Sequence, residues 1–358
     1  MTKKILYING DGVGPELMGP ARSIVDELAD VEWVEGEAGY GTYKKLGTPL
    51  PDDTIEHARA SDAVLFCAVT TPPGIPNYTS AIISLRNALG LYANLRPFDS
   101  LPNVPAPAWT QPIFANPAEG RPAPSPPSAP SAALPPIHFA IVRENSEGLY
   151  SGIEESDGER ATALRVITRK ASERIVKFAF DYAKKRHFSK VTLVHKANVL
   201  RKTDGLFLEA GRNVAKAYAP DIACDDAIVD AVAMRLVKSP QSFQIIVTTN
   251  LFGDILSDEA SALIGGLGVA PSANIGEKYA LFEPVHGSAP DIAGRGIANP
   301  TGLLRSAVMM LGHIGLPGEA RKLETAIERA YGQGIRTKDV GGNASTREMV
   351  EAICRNLS

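Results

Sequence analysis

Two aspartates spaced four residues apart are the first candidates for chemistry in this sequence. Asp254 and Asp258 follow an apolar strand that ends at Thr249. If a helix begins near Asn250, side chains four apart lie on one face of its first turns, and like charges there repel unless a cation offsets them. A hard cation such as Mg²⁺ or Mn²⁺ would account for both residues. The alternative, acids that favour a helix N-terminus, explains Asp254 but not Asp258.

Three arginines and a lysine occupy positions that suit anion binding or proton transfer. Arg86 and Arg96 bracket the segment Leu-Tyr-Ala-Asn, and Arg143 closes an apolar strand. Their planar guanidinium groups suit carboxylates, although each could instead serve a separate surface ion pair. Lys196 follows another apolar strand, where it could act as a base. A structural ion pair is the alternative for Lys196.

The glycine-rich run at residues 10–14 follows the first predicted strand but does not match a dinucleotide fingerprint. Its spacing is Gly-x-Gly-x-Gly rather than Gly-x-Gly-x-x-Gly, and Glu16 stands where a phosphate-facing helix would begin. Because an acidic side chain repels pyrophosphate, we interpret the run as a tight strand-to-helix turn. Any nucleotide would then bind elsewhere.

The elements that would position these residues alternate between buried strands and helices. Continuous apolar runs at 5–8, 63–69 and 245–249 have strand length, and each precedes a turn and a helical pattern. Helical periodicity recurs at 171–185, 205–217, 318–331 and 346–356. Buried parallel strands that alternate with helices predict an α/β fold.

Composition narrows the class of protein further. The 358 residues include 37 Lys and Arg against 40 Asp and Glu, and no apolar run approaches the ~18–20 residues that span a bilayer. Without a basic surplus, sequence-independent nucleic-acid binding is disfavoured. The apolar stretch behind Lys4 is too short for a signal-peptide core, and Cys67, Cys224 and Cys354 lack metal or disulfide spacing. We therefore expect a cytoplasmic protein without membrane or nucleic-acid partners.

A proline-rich stretch interrupts the pattern between residues 97 and 136, where 13 of the chain's 27 prolines lie. Proline lacks an amide donor and clashes with the preceding helical turn, so this stretch is neither a helix nor an inner strand. We interpret residues 103–136 as a solvated surface insertion rather than a site for a peptide-binding partner.

Several long motifs, in order along the chain, resemble those of the β-decarboxylating dehydrogenases, the family of isocitrate, 3-isopropylmalate and homoisocitrate dehydrogenases. The motifs are residues 142–150, His195-Lys196-Ala197-Asn198, Asp230-Ala231, residues 248–270 and residues 283–291. The resemblance extends over essentially the whole chain except roughly residues 103–136. It implies a two-domain α/β fold of the isopropylmalate dehydrogenase type rather than a Rossmann fold.

The resemblance also implies how the chain is divided and assembled. A large cofactor-binding domain would comprise residues 1–98 and 266–358, and a small domain would comprise residues 99–265, including the insertion. Residues 151–169 would form an arm that clasps a second copy in a homodimer, with each active cleft completed by the partner. Whether such dimers pair further into tetramers is left open.

The same resemblance assigns roles to the candidate residues. A 2-hydroxy acid substrate would be bound by Ser80, Arg86, Arg96, Arg143 and Asn198, and the three arginines would hold its carboxylates. Mg²⁺ or Mn²⁺ would be held by Asp254 and Asp258 of one subunit and Asp230 of the other. Lys196 of the partner would serve, directly or through water or an acid, as the base while hydride passes to the nicotinamide. Tyr150 would reprotonate the enolate left when CO₂ departs.

The cofactor-binding residues implied by the resemblance are Thr71, Glu283, His286, Gly287, Ser288, Ala289, Asp291, Ile292 and Asn299. Asp291 is expected near the adenosine ribose, where its carboxylate accepts a hydrogen bond from a free 2'-hydroxyl but repels a 2'-phosphate. NADP enzymes of the family carry Lys-Tyr at the positions of Asp291 and Ile292. We therefore predict NAD as the cofactor.

Family members read the third substituent of the substrate with the helix before Arg86. Ser80, Ile82 and Ile83 resemble the arrangement in fungal homoisocitrate dehydrogenases, with a hydroxyl for a terminal carboxylate and isoleucines for an extra methylene. The sequence therefore favours oxidative decarboxylation of homoisocitrate to 2-oxoadipate, in lysine biosynthesis by the α-aminoadipate route. NAD-dependent isocitrate dehydrogenase and then 3-isopropylmalate dehydrogenase are the alternatives. A catalytically silent regulatory subunit is disfavoured because the set of acids and bases is complete.

Overall fold

The secondary structure alternates strands and helices along the chain, and the structure, a computed structural model, describes residues 2–75, 78–104 and 136–357. The strands are β1 (Lys3–Gly10), β2 (Val31–Gly36), β3 (Ala63–Ala68), β4 (Ala93–Asp99), β5 (His138–Glu144), β6 (Glu154–Ser156), β7 (Ala161–Ala163), β8 (Lys190–His195), β9 (Ala223–Ile228), β10 (Ile245–Thr248), β11 (Pro271–Ile275) and β12 (Ala280–Pro284). The helices are α1 (Gly14–Leu28), α2 (Tyr40–Leu46), α3 (Asp52–Arg59), α4 (Ala81–Leu89), α5 (Arg169–Lys185), α6 (Thr203–Ala215), α7 (Val229–Lys238), α8 (Asn250–Leu263), α9 (Thr301–His313), α10 (Pro317–Gly332) and α11 (Thr346–Arg355). The predicted insertion at 103–136 lies outside the described residues except at its two ends.

Ten strands form one sheet in the order β2-β1-β3-β12-β11-β4-β5-β10-β8-β9. Neighbours are parallel within β2-β1-β3-β12 and within β5-β10-β8-β9. At the centre, β11 and β4 pair antiparallel with both of their neighbours. The α/β prediction is confirmed, but the antiparallel centre differs from the parallel strands that the sequence indicated.

The strand order separates the chain ends from the middle of the chain. Strands from residues 3–99 and 271–284 occupy one side of the sheet, and strands from residues 138–248 occupy the other. The antiparallel pairing of β4 with β5 connects the two sides. The boundaries of a large and a small domain remain a prediction.

Hydrophobic residues of the strands fill cores on both faces of the sheet. Successive side chains of a strand point to opposite faces, so Ile5 and Leu65 enter one cluster while Leu6 and Phe66 enter the other. All six residues of β3 are buried. Helices cover both faces, which is why the inner strands read as continuous apolar runs.

The predicted helices form close to their expected bounds. α5 begins at Arg169 because the Thr168 side chain caps it by accepting a hydrogen bond from the backbone N of Ala171. α11 begins after a capping box made by Ser345 and Glu348. Among the residues that the structure describes, no helix combines the length and apolar character needed to cross a bilayer.

The predicted arm at 151–169 contains a two-stranded antiparallel hairpin, β6 with β7, that is separate from the main sheet. All six strand residues of the hairpin are exposed. Two apolar side chains beside it, Ile153 and Leu164, are 49% and 56% exposed. Clasping of a partner by this arm remains a prediction.

Candidate active site

Arg143, near the end of β5, is held against the first turns of α8. Its Nε and Nη2 donate to Asn250 Oδ1 at 2.9 and 2.7 Å, and its Nη1 donates to Asp254. The arginine is 2% exposed. Burial lowers its pKa to about 10 although Asp254 opposes the shift, so the guanidinium remains charged at neutral pH.

Arg96, on β4, contacts both aspartates of α8. Its Nη1 donates to Asp258 Oδ1 at 3.2 Å, and its Nη2 lies 3.6 Å from Asp254 Oδ1. Its Nε donates to Asn94 Oδ1 at 2.8 Å, and the Asn94 amide donates in turn to Asn274 Oδ1 at 2.9 Å. Buried amides of the antiparallel centre therefore orient Arg96 toward α8.

Arg86, in the last turn of α4, pairs with a residue of β12, and its charge also acts on Asp254. Its Nη2 donates to Glu283 Oε1 on β12 at 2.6 Å. Its Nε is buried and has no hydrogen-bond partner among the described residues. A buried guanidinium N–H without a partner is costly, and an anionic ligand would satisfy it.

The two aspartates share one face of α8, as their spacing predicts. Burial alone would raise the pKa of Asp254, but the Arg143 charge, a hydrogen bond from Tyr150 and the Arg96 charge lower it overall. Burial raises the pKa of Asp258, and Arg96 offsets only part of this. Both carboxylates belong to the hard oxygen donors that Mg²⁺ and Mn²⁺ prefer.

Tyr150 lies in the 3₁₀ turn before the arm and donates its hydroxyl hydrogen to Asp254 Oδ2. The Arg143 guanidinium carbon lies 4.9 Å from the centre of its ring. Burial, with a further contribution from the bond to Asp254, raises the pKa of Tyr150. The phenol is therefore protonated at neutral pH and can donate a proton.

Lys196 and Asp230 form a second group. Lys196, directly after β8, places Nζ 2.5 Å from Asp230 Oδ1 at the start of α7. Asn198 is exposed two residues further along. Within the described parts of the chain, no group of three or more His, Cys, Asp or Glu side chains could hold a metal ion. One chain therefore brings Asp254 and Asp258 together but not Asp230.

The loop after β12 packs on the glycine-rich turn between β1 and α1. Ser288 O accepts a hydrogen bond from Val13 N at 2.9 Å, and Ser288 Oγ lies 2.7 Å from Thr70 Oγ1. A Cβ at Gly12 would lie 1.8 Å from Ser288 O, so only glycine fits there. Thr71 is exposed beside Thr70. The predicted strand-to-helix turn is confirmed, and it adjoins residues predicted to bind the cofactor.

The remaining predicted cofactor residues have different environments. His286 Nε2 is buried with no hydrogen-bond partner among the described residues, and burial lowers the pKa of this imidazole. Asp291 is exposed, while Ala289 and Ile292 pack partly against the main core.

The Asn299 side chain already has protein partners, since it donates to Asp339 at 3.0 Å and accepts from Thr301 N at 3.0 Å. Gly287 is exposed, and a Cβ there would meet nothing within 4 Å.

Two acidic residues of the N-terminal region have roles that the sequence did not reveal. Glu16 accepts hydrogen bonds from Gly294 N and Thr346 Oγ1, both at 3.0 Å, so it secures the loop after β12. The Asp11 carboxylate accepts from three backbone N–H groups at 2.7–2.8 Å, those of Tyr40, Gly41 and Thr70. The sequence feature that could have indicated these roles is the position of both acids at the glycine-rich turn.

Comparison with known proteins identifies one family over almost the whole chain. The family model described as isocitrate/isopropylmalate dehydrogenase matches residues 4–353. The chain is 48% identical over 357 residues to the 3-isopropylmalate dehydrogenase of Methanothermobacter thermautotrophicus, covering 99% of each. It is 47% identical over 352 residues to the homoisocitrate dehydrogenase of Methanocaldococcus jannaschii, covering 98% of this chain and 96% of that protein.

A solved structure extends the similarity to the fold. The crystal structure of isocitrate dehydrogenase from Methylococcus capsulatus matches with a TM-score of 0.88 and 45% identity, covering 100% of this chain and 99% of that one. These three relatives carry three different substrate names. The chain belongs to the isocitrate/isopropylmalate dehydrogenase family, the β-decarboxylating dehydrogenases that use NAD(P) and a divalent metal ion.

Proposed function

We propose that this chain oxidises and decarboxylates homoisocitrate to 2-oxoadipate, with NAD⁺ as the oxidant and Mg²⁺ or Mn²⁺ as the metal. The observation that carries this proposal is that Arg96 and Arg143 contact the two aspartates of α8 and that the charge of Arg86 also acts on Asp254. Three guanidinium groups at one site suit a substrate with several carboxylates. The buried Arg86 Nε, which has no hydrogen-bond partner among the described residues, also supports an anionic substrate.

The α8 carboxylates fit a divalent ion, with Asp230 of a second copy as a further ligand. When bound, the ion would supply polarisation of the substrate carbinol and stabilisation of the negative charge left by CO₂. Arg96 and Arg143 neutralise Asp254 and Asp258 and keep the two acids close together. The chain itself therefore maintains two adjacent oxygen ligands on one helix face.

Two side chains would move protons at opposite ends of the reaction. Lys196 of the second copy would take up the hydroxyl proton, and its Nζ is held by Asp230. Tyr150 would deliver a proton to the carbon that loses CO₂, since its hydroxyl is protonated and points toward Asp254. A regulatory subunit would not need both groups, so we favour an active enzyme.

The preference for homoisocitrate rests on the start of α4. Ser80 is buried at the N-cap position, and Ile82 and Ile83 lie one helical turn before Arg86. The hydroxyl of Ser80 would bind the terminal carboxylate, and the isoleucines would contact the additional methylene. Because one methylene is worth only about 1–3 kcal/mol, some use of isocitrate is expected. The relatives named for isopropylmalate make that acid the competing candidate.

The preference for NAD⁺ rests on Asp291, whose exposed carboxylate would accept a hydrogen bond from a 2'-hydroxyl of the cofactor. His286 Nε2 is buried without a hydrogen-bond partner among the described residues, and another part of the cofactor would provide one. This atom therefore supports cofactor binding at this loop. Both residues lie in the loop that Glu16 and the glycine-rich turn hold in place.

A homodimer would complete each site. Apolar side chains are exposed on α7 and α8, where Met234 is 54% and Ile255 is 59% exposed, and on the arm at Ile153 and Leu164. Burial of these side chains against a second copy would remove apolar surface from water. We place the dimer in the cytoplasm, which suits the free thiols of Cys67, Cys224 and Cys354.

Steady-state kinetics with the three acids test the proposal. We expect the highest kcat/KM with homoisocitrate, NAD⁺ and Mg²⁺, a lower value with isocitrate and the lowest with isopropylmalate. A chelator should abolish NADH formation, and added Mg²⁺ or Mn²⁺ should restore it. A higher kcat/KM for isopropylmalate would reject the substrate assignment, and turnover that survives chelation would reject the metal role.

A further inference from the structure

The turn that carries Lys196 is held at two successive backbone N–H groups. The N–H of Lys196 donates to Asp204 Oδ2 at 2.6 Å, and the N–H of Ala197 donates to His195 Nδ1 at 3.0 Å. Each acceptor is supported by a further charged residue. Backbone held in this way fixes the origin of the Lys196 side chain, and within the described part of the chain Nζ hydrogen-bonds to Asp230.

Asp204 is the stronger of the two acceptors. It is 0% exposed, and its other carboxylate oxygen accepts from Nη1 of Arg165. A carboxylate in the first turn of α6 would favour that helix end even at the surface, so the helix does not explain why the charge is buried. Both oxygens are engaged by donors from outside α6, and a buried charge is tolerated when it is paired in this way.

Arg165 connects this turn to the arm and to the start of α8. It lies at the end of the arm, two residues after β7. Its Nη2 donates to Oγ1 of Thr249 at 3.0 Å, directly before α8, and its guanidinium carbon lies 5.1 Å from the centre of the Phe252 ring. One side chain therefore joins the arm, the Lys196 turn and the helix that carries the two aspartates.

His195, the acceptor for the Ala197 N–H, is also supported by a charged pair. Because His195 Nδ1 accepts the Ala197 N–H, its proton is on Nε2, which faces Asp226 Oδ2 at 3.3 Å. The other oxygen of Asp226 accepts from Arg212 Nη2 at 2.7 Å. The turn is thus fixed by two pairs, and in the pair that reaches the arm Asp204 is buried and Arg165 is partly buried.

We infer that Arg165 and Asp204 are positioning residues for Lys196, and that they tie its position to the arm. This inference rests on the proposed role of Lys196 as the base for alcohol oxidation. In Asp204→Asn, one oxygen becomes an NH₂ group, which must face either Arg165 or the Lys196 N–H. Both of these are donors, so one of the two contacts is lost while side-chain volume is kept.

The test uses the full-length enzyme with NAD⁺, Mg²⁺ and the hydroxy acid that it turns over best. We expect Asp204→Asn and Arg165→Gln to lower kcat by about tenfold or more, since a displacement of ~1 Å can cost ~10²-fold. KM for the hydroxy acid should stay within about twofold, because neither residue belongs to the substrate site. Decarboxylation of the supplied β-keto acid, which bypasses alcohol oxidation, should also stay within about twofold.

Arg347→Gln is the matched control. Arg347 also pairs with a carboxylate, that of Glu351 at 2.7 Å, but it lies on α11, outside the arm and the site, and both side chains are exposed. Its kcat should equal that of the unmodified enzyme. Arg165→Gln decides the outcome if Asp204→Asn fails to fold.

Three results would overturn the inference. Normal kcat in both variants, with Lys196→Ala inactive, would reject the positioning role and leave the proposed function intact. A parallel loss of alcohol oxidation and β-keto acid decarboxylation would show a purely structural role. Normal kcat in Lys196→Ala would instead reject Lys196 as the base, and with it both the inference and that part of the proposed function.

Discussion

Gly253, in α8, permits the contact that places Arg143 beside Asp254. A Cβ added at Gly253 would lie 2.6 Å from both Cβ and Cγ of Arg143 and 3.2 Å from its Cα. In a helix interior, glycine to alanine ordinarily stabilises by about 1 kcal/mol. Here the contacted atoms lie close to the backbone of β5 and cannot move aside freely, and overpacking costs about 1–3 kcal/mol.

We therefore expect Gly253→Ala to lower the free energy of unfolding by about 1 kcal/mol. The helix must also move away from β5, which lengthens the contacts of Arg143 with Asn250 and Asp254. A displacement of ~1 Å in a catalytic site can cost ~10²-fold, so kcat/KM should fall by about 10- to 100-fold.

Urea unfolding and steady-state kinetics check this expectation against a helical glycine that has free space. Gly312, in α9, would place a Cβ with nothing within 4 Å. Gly312→Ala should leave kcat/KM unchanged and should not lower the urea midpoint. The reasoning fails if Gly253→Ala matches Gly312→Ala in both midpoint and kcat/KM.

Three further predictions concern the cofactor, the metal and the arm. Asp291→Lys with Ile292→Tyr should shift the ratio of kcat/KM for NAD⁺ and NADP⁺ toward NADP⁺; an unchanged ratio would exclude the role of Asp291. Asp258→Asn should raise the Mg²⁺ concentration for half-maximal activity by about tenfold or more, and an unchanged metal titration would remove it from the metal site. Ile153→Asp should promote monomers in analytical ultracentrifugation because the arm side chain becomes charged, whereas Leu46→Asp on α2, a similarly exposed site, should not.

Local features of the fold and site followed from the sequence because they depend on spacing along one element. The shared face of Asp254 and Asp258 is a consequence of helical periodicity once α8 begins at Asn250. The turn at residues 10–14 followed from glycine spacing and from the adjoining strand. These inferences required no knowledge of distant contacts.

Contacts between distant elements were not predictable from the residues alone. The pairs Arg86–Glu283 and Arg165–Asp204 are 197 and 39 residues apart in sequence. No local pattern distinguishes Asp204 from an ordinary first-turn acid. The antiparallel strand β11 was likewise missed, because strand direction depends on how the chain crosses the sheet rather than on the residues of the strand.

Hydrogen bonds join the end of β4 to the start of β5. Asp99 and His138 are paired across the two strands, Ser100 N donates to Ile137 O at 3.0 Å, and Ile137 N donates to Ser100 Oγ at 2.9 Å. Asn103 is anchored as well, since its side chain donates to two carbonyls of α10 at 3.1 Å. These hydrogen bonds join the two strand ends at the points where the chain leaves β4 and enters β5. A substitution at Ser100 or Asn103 should therefore loosen this junction without removing any of the hydrogen bonds described above for Arg96 and Arg143.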